Sequence, residues 1–265
     1  MPPEAPFVLA VCGKGGVGKT AFSALLSRAL IESGVSPLLL VDADPVGGLT
    51  SAIGERTVTT LAGVRDRFIA EARRGGKSGA ADASQLLDYS LLSALVERKG
   101  FALLSMGHNA EKGCFCPANK LLRSAIDGLV PAFAGVLIDA EAGIEQINRD
   151  VTARVNRVVV VVDASQRSLD TLRMIVEMVG PEPVAVAANR CSEAESLSLP
   201  EGVALLGRIP EDETLRRFDR EGRPLWQLPE GSPALEAVGR IAIVLRSGLV
   251  SGTGDVPSGV AGGTR

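Results

Sequence analysis

The run Gly13-Lys14-Gly15-Gly16-Val17-Gly18-Lys19-Thr20 has the residue types and spacing of a phosphate cradle. Backbone free of side chains can curl there so that its N–H groups point at phosphate oxygens. Lys19 is placed to reach the β- and γ-phosphates, and the Thr20 hydroxyl to ligate Mg²⁺. Residues 7–12 read as a buried strand feeding the loop, and 21–31 as a helix whose N-terminus faces the anion. The chain is therefore expected to bind a nucleoside triphosphate through Gly13, Lys14, Gly15, Gly16, Val17, Gly18, Lys19 and Thr20. Of these, Lys14 is a second lysine that the cradle itself does not require.

Acids stand where such a site needs them. Asp42 and Asp44 close one apolar run, in Asp42-Ala43-Asp44-Pro45, and Asp139 closes another, in Ile138-Asp139-Ala140-Glu141-Ala142-Gly143. Mg²⁺ beside a P-loop takes an acidic partner at the end of a neighbouring strand, usually through water. Asp139 suits that role best, and Asp42 is a second candidate. Asp44, ahead of a proline that stiffens the turn, is placed to orient an attacking water. Gly143 would let its loop pass close to the γ-phosphate, as a switch must. The segment Asn189-Arg190-Cys191-Ser192 lies where a guanine-reading loop would carry a carboxylate, and it has serine there. Without that charge-assisted contact guanine loses its advantage, so Asn189 and Arg190 are expected to sit against ATP.

A different chemistry is offered by Gly113-Cys114-Phe115-Cys116-Pro117. Two cysteines one residue apart close a strained disulfide, but both can ligate one metal if the backbone turns. Cys114 and Cys116 alone under-coordinate a soft metal, whereas two copies of the loop supply four sulfurs. The alternative is that they are small buried hydrophobes. Cys12 and Cys191 stand singly in or beside strands, as packing residues do. His108, the sole histidine, lies near the pair and could join it, although a single loop histidine is usually solvated.

These residues need a scaffold that gathers strand ends. Apolar runs at 38–41, 101–105, 135–138, 158–162 and 184–188, with a weaker one at 204–207, alternate with helical patterns. A helix is expected to end near Lys99-Gly100. Continuous apolar runs mean strands buried on both faces, hence a doubly wound, mostly parallel α/β sheet with helices on both sides. Ligand groups in such a fold gather at the carboxyl ends of the strands. With 265 residues, 46% hydrophobic, the chain suits one domain over residues 1–250. Residues 251–265 are rich in Gly, Ser and Thr and are expected to be a disordered tail. Residues 65–84 read as a surface insertion. Residues 234–249 have apolar positions at helical spacing and should dock on the core.

A formal charge of −3 gives no electrostatic case for binding nucleic acid. No apolar run approaches membrane-spanning length, and no stable membrane association is expected. The opening residues lack the basic and apolar regions of a signal peptide, which with four cysteines points to the cytoplasm and reduced thiols.

Lys14-Gly15-Gly16-Val17-Gly18-Lys19-Thr20 resembles the deviant Walker A motif of the dimeric ATPases that include the nitrogenase iron protein and the septum-site and partitioning ATPases. Asp42-Ala43-Asp44-Pro45 is similar to their first switch and Asp139-Ala140-Glu141-Ala142-Gly143 to their second. The resemblance implies a homodimer in which Lys14 reaches the partner's phosphates and, with Lys19 and Asp44, serves hydrolysis. The segments Gly113-Cys114-Phe115-Cys116-Pro117-Ala118-Asn119 and Ile138–Glu145 look most like the accessory ATPases that mature nickel carbon-monoxide dehydrogenase. In that group Cys-x-Cys binds metal at the dimer interface. For Cys114 and Cys116 this implies Ni²⁺ or Zn²⁺, or alternatively a [4Fe–4S] cluster, with a client metalloenzyme as partner. A partitioning or septum-positioning ATPase is the other member type the motifs allow.

Overall fold

Each continuous apolar run forms a strand. The computed structural model describes residues 6–73, 89–107, 123, 126–140 and 155–250. The strands are β1 (Phe7–Cys12), β2 (Leu38–Asp42), β3 (Val96–Arg98), β4 (Phe101–Ser105), β5 (Gly135–Asp139), β6 (Arg157–Val162), β7 (Val184–Asn189) and β8 (Ala204–Ile209). They make one sheet in the order β3-β4-β2-β5-β1-β6-β7-β8, parallel except for β3. Between them run α1 (Lys19–Glu32), α2 (Gly48–Ala52), α3 (Leu61–Arg73), α4 (Gln166–Val179), α5 (Glu213–Arg220) and α6 (Pro233–Val250).

Strand side chains alternate between two cores, as the pleat requires. Leu9 and Val11 of β1 join Leu40, Leu137 and Val161 against α1 and α6. Val8, Ala10 and Cys12 join Val41, Ile138 and Val160 against α3 and α4. Burying such a side chain contributes about 1.5–3 kcal/mol, so covering both faces favours the parallel sheet over an exposed one. Helix 234–249 docks as its pattern indicates, through Ala237, Val238, Ile241 and Leu245.

Two expectations are corrected. Arg65 to Arg73 is the body of α3, not part of an insertion, and even Arg65 is buried. Leu61, Val64 and Ile69 give this stretch a buried helical face that outweighs its Arg- and Ala-rich composition. The helix expected to end near Lys99-Gly100 stops at Ala94, and Val96–Arg98 turns back as the antiparallel edge strand. Gly100, at φ 92°, permits the two-residue turn in which Arg98 faces Phe101.

The C-terminal third is tied to α1 by polar contacts. Arg28 on α1 donates to the carbonyls of Trp226 (3.0 Å) and Leu228 (2.9 Å), and the Trp226 indole donates to the Ala24 carbonyl (2.7 Å). Asp212 caps α5 by accepting from Thr214 N and Leu215 N. It also accepts from Ser232 Oγ and Ala234 N at the start of α6. Burial opposes its charge, but these donors outweigh it and hold the carboxyl below its usual range. We expect Asp212→Ala to lower stability by about 2–4 kcal/mol, read as a shift in the urea midpoint at pH 7. Because the native carboxyl ionises below the unfolded one, the deficit should shrink as pH falls through the ordinary carboxylate range.

Candidate nucleotide site

The loop from Gly13 to Gly18 leaves β1 at the centre of the sheet, with β5 on one side and β6 on the other. Gly13, at φ 140°, lies so close to β6 that a Cβ would overlap the Val161 carbonyl oxygen. At Gly18, φ 92°, a Cβ would stand 2.5 Å from Asn189 Nδ2. Glycine is therefore required at both ends of the loop. Gly18 also starts α1 without a side-chain cap, and no acidic residue occupies that helix's first turn. The free N-terminal amides are left to an external anion.

Lys19 is only 8% exposed. Among the described residues its Nζ makes one hydrogen bond, to the Lys14 carbonyl at 3.3 Å. Desolvation disfavours a buried ammonium unless polar or anionic groups meet it, so this position suits an anion. One residue on, Thr20 Oγ1 donates to Asp139 Oδ2 at 2.8 Å, and Ser23 Oγ donates to Asp139 Oδ1 at 2.8 Å. Ser23 did not stand out in the sequence, although its i+3 spacing from Thr20 places both hydroxyls on one helix face.

Asp42 and Asp139 are register partners on β2 and β5, and both are buried. Burial is the main force raising the Asp139 carboxyl to about 6, opposed by the Ser23 and Thr20 hydroxyls, with the Asp42 charge adding to the rise. Burial raises Asp42 as well, against hydrogen bonds from Thr50 and Asp44. Asp42 Oδ2 accepts from Thr50 N (2.7 Å) and Thr50 Oγ1 (2.6 Å), and Oδ1 from Asp44 N (3.3 Å). It thereby anchors the turn that carries Asp44. Asp44 Oδ1 accepts from Val46 N at 2.8 Å. A Cβ built on Gly48 would lie 3.2 Å from Asp44 Oδ2 and 3.5 Å from Thr20 Oγ1, so this glycine lets the turn carrying Asp44 sit over the Thr20 hydroxyl.

On the other flank the ends of β7 and β8 border a cleft of about 180 Å³. Phe22, Leu25 and Val238 supply apolar lining, and Asn189, Arg190, Pro210 and Glu211 supply the strand-end side. Asn189 Nδ2 donates to the Val17 carbonyl at 2.7 Å, and Arg190 Nη2 to the Gly16 carbonyl at 2.8 Å. Both side chains thus reach back to carbonyls of the Gly13–Gly18 loop, and Arg190 also lies 3.7 Å from Asp163 Oδ2.

Comparison with known proteins decides the family. The family described as the CobQ/CobB/MinD/ParA nucleotide binding domain matches residues 8–225. The chain belongs to it. It is similar to an uncharacterized ATP-binding protein of Methanocaldococcus jannaschii, 34% identical over 245 residues, which cover 89% of this chain and 96% of the relative. It is also similar to the carbon monoxide dehydrogenase accessory protein CooC of Rhodospirillum rubrum, 32% identical over 85% of this chain and 90% of that protein. The MinD cell division protein of Aquifex aeolicus shares the fold, with TM-score 0.65 and 24% identity over 91% of this chain and 97% of that one.

Within this family domain, the described cysteines are packing residues. Cys12 and Cys191 are both buried, and burial pushes the Cys12 thiol up to about 12, so it stays protonated. Cys114, Cys116, His108 and Gly143 lie outside the described residues. Among the described residues no three His, Cys, Asp or Glu side chains converge as a metal site, and no helix is long and apolar enough to cross a membrane.

Proposed function

We propose that this protein is an ATP-hydrolysing homodimer that carries a metal ion, Ni²⁺ or Zn²⁺, to a client metalloenzyme such as carbon-monoxide dehydrogenase. The observation that carries the nucleotide half is the buried Lys19 ammonium, which among the described residues has no anionic hydrogen-bond partner, next to the Thr20–Asp139 pair. The metal half is supported by the Cys114-Phe115-Cys116 motif together with the likeness to CooC.

In this reading the loop amides and Lys19 bind the β- and γ-phosphates. Mg²⁺ fits the donors present, because Thr20 and Asp139 offer hard oxygens at one point. When bound, it would neutralise phosphate charge. Asp44, held by the Val46 amide and poised over Thr20, orients a water toward the γ-phosphorus. Lys14 of one copy adds its charge to the phosphates of the other, so hydrolysis requires closure of the pair. The same closure brings together two Cys114/Cys116 loops and completes a four-thiolate cage for the cargo. Hydrolysis reopens the pair and releases the metal.

Metal analysis with and without a non-hydrolysable ATP analogue, beside Cys114→Ala/Cys116→Ala and with molar mass read on the same samples, tests this. We expect about one metal per two chains, on a dimer, lost in the variant. Full loading of a monomer overturns the shared cage. Iron with acid-labile sulfide in place of nickel or zinc turns the cargo into a [4Fe–4S] cluster. ATP-dependent retention on DNA or liposomes, with no metal, establishes the partitioning or septum-positioning role instead.

A further inference from the structure

A glycine-rich loop binds phosphate only if its carbonyls are turned away from the anion, and its own flexibility works against holding them there. Arg190 holds one of them. Its backbone adopts φ 55°, a conformation that side-chain-bearing residues rarely take. Strain of that kind persists where surrounding contacts impose it, often at functional sites. Here it directs the guanidinium across 174 positions of sequence to the Gly16 carbonyl, 2.8 Å away.

The same guanidinium lies 3.7 Å from Asp163 Oδ2, just beyond the end of β6. Asp163 is itself fixed, because its Oδ1 accepts from Ser165 N at 3.1 Å and from Ser165 Oγ at 2.5 Å. Burial acts against its charge. The Ser165 bonds and the Lys14 and Arg190 charges outweigh that and keep the carboxyl below its usual range. The phosphate loop is thus gripped from two strands. Gly13 is wedged against β6, and Gly16 is held by Arg190, which follows β7 and pairs with Asp163, just after β6.

We infer that Arg190 is a positioning residue for the phosphate loop, acting through the Gly16 carbonyl with Asp163 as its fixed countercharge, rather than a reader of the base. This rests on the loop being the ATP site. A base reader would change the preference between adenine and guanine. A loop-positioning residue changes affinity for anything with the triphosphate, base or no base.

Calorimetric titration of full-length protein with Mg-ATP, Mg-GTP and Mg-tripolyphosphate separates the two roles. Arg190→Ala should weaken all three by the same factor, about tenfold. Arg190→Lys, which keeps a donor and the charge but loses the planar fork, should recover part of that loss. Asp163→Asn should weaken all three as well. The double variant should be no weaker than Arg190→Ala alone, because Asp163 acts through the arginine. An altered ATP-to-GTP ratio with tripolyphosphate unchanged overturns the inference, as does a fully additive double variant. Wild-type protein that binds ATP while Arg190→Ala binds it equally well overturns the inference alone. Wild-type protein that binds neither ATP nor tripolyphosphate overturns the reading of the loop, and this inference with it.

Discussion

Lys19→Ala is expected to weaken ATP binding by about a hundredfold or more, equal to about 3 kcal/mol. The Lys19 side chain enters the interior beside α1, and its ammonium meets one carbonyl there. Asp139, whose charge acts on Lys19, already accepts from two hydroxyls. Desolvation has thus been suffered in the free protein, and a polyphosphate recovers it in full, which makes this cation worth more than a surface lysine. Calorimetry with ATP and with tripolyphosphate checks the claim, and both ligands should suffer alike. The free variant should melt no lower than wild type, because removing an under-coordinated buried charge relieves the native state. Affinity within threefold of wild type would show that the amides alone hold the phosphates.

Much of the framework around the candidate site was legible because its parts are local. The cradle from Gly13 to Thr20 is contiguous, and Asp42 and Asp139 end apolar runs that can only be central strands. Their register pairing follows once β2 and β5 are neighbours. The antiparallel edge was not legible. Val96-Glu97-Arg98 is charged at two of its three positions, and its half-exposed and exposed residues look like a helix end. The helix α3 was hidden by composition, since its small and basic residues masked the spacing of Leu61, Val64 and Ile69. The clamp by Asn189 and Arg190 was hidden by distance. The residues were visible as a strand end near a nucleotide, but their grip on Val17 and Gly16 spans more than 170 positions and depends on β7 lying two strands from β1. Nothing in local spacing reports whether such a side chain faces a base or a carbonyl.

Asp139 is where binding and stability are expected to part company. Burial beside Asp42 raises its native carboxyl from about 3.8 to about 6, while the unfolded chain keeps the ordinary value. Between those two pH values the native state holds more protons than the unfolded one. Stability therefore falls as pH rises through that window, and the full cost is present above it. Asp139→Asn mimics the protonated carboxyl, and the Thr20 and Ser23 hydroxyls can rotate to donate to one of its atoms and accept from the other. At pH 7.5 the nucleotide-free variant should be more stable than wild type by about 1–3 kcal/mol. At pH 4, near the lower edge of that window, most of the difference should be gone, because the native carboxyl is neutral and the unfolded one about half so. Urea midpoints at the two pH values give the comparison directly. The same substitution removes the carboxylate nearest Thr20, so Mg²⁺ should no longer tighten ATP binding. A variant less stable than wild type at pH 7.5 would mean that Asp139 is held in place as a structural acceptor. A stabilised variant that has lost its response to Mg²⁺ would mean that its charge is kept, at a cost to the fold, for the nucleotide's metal.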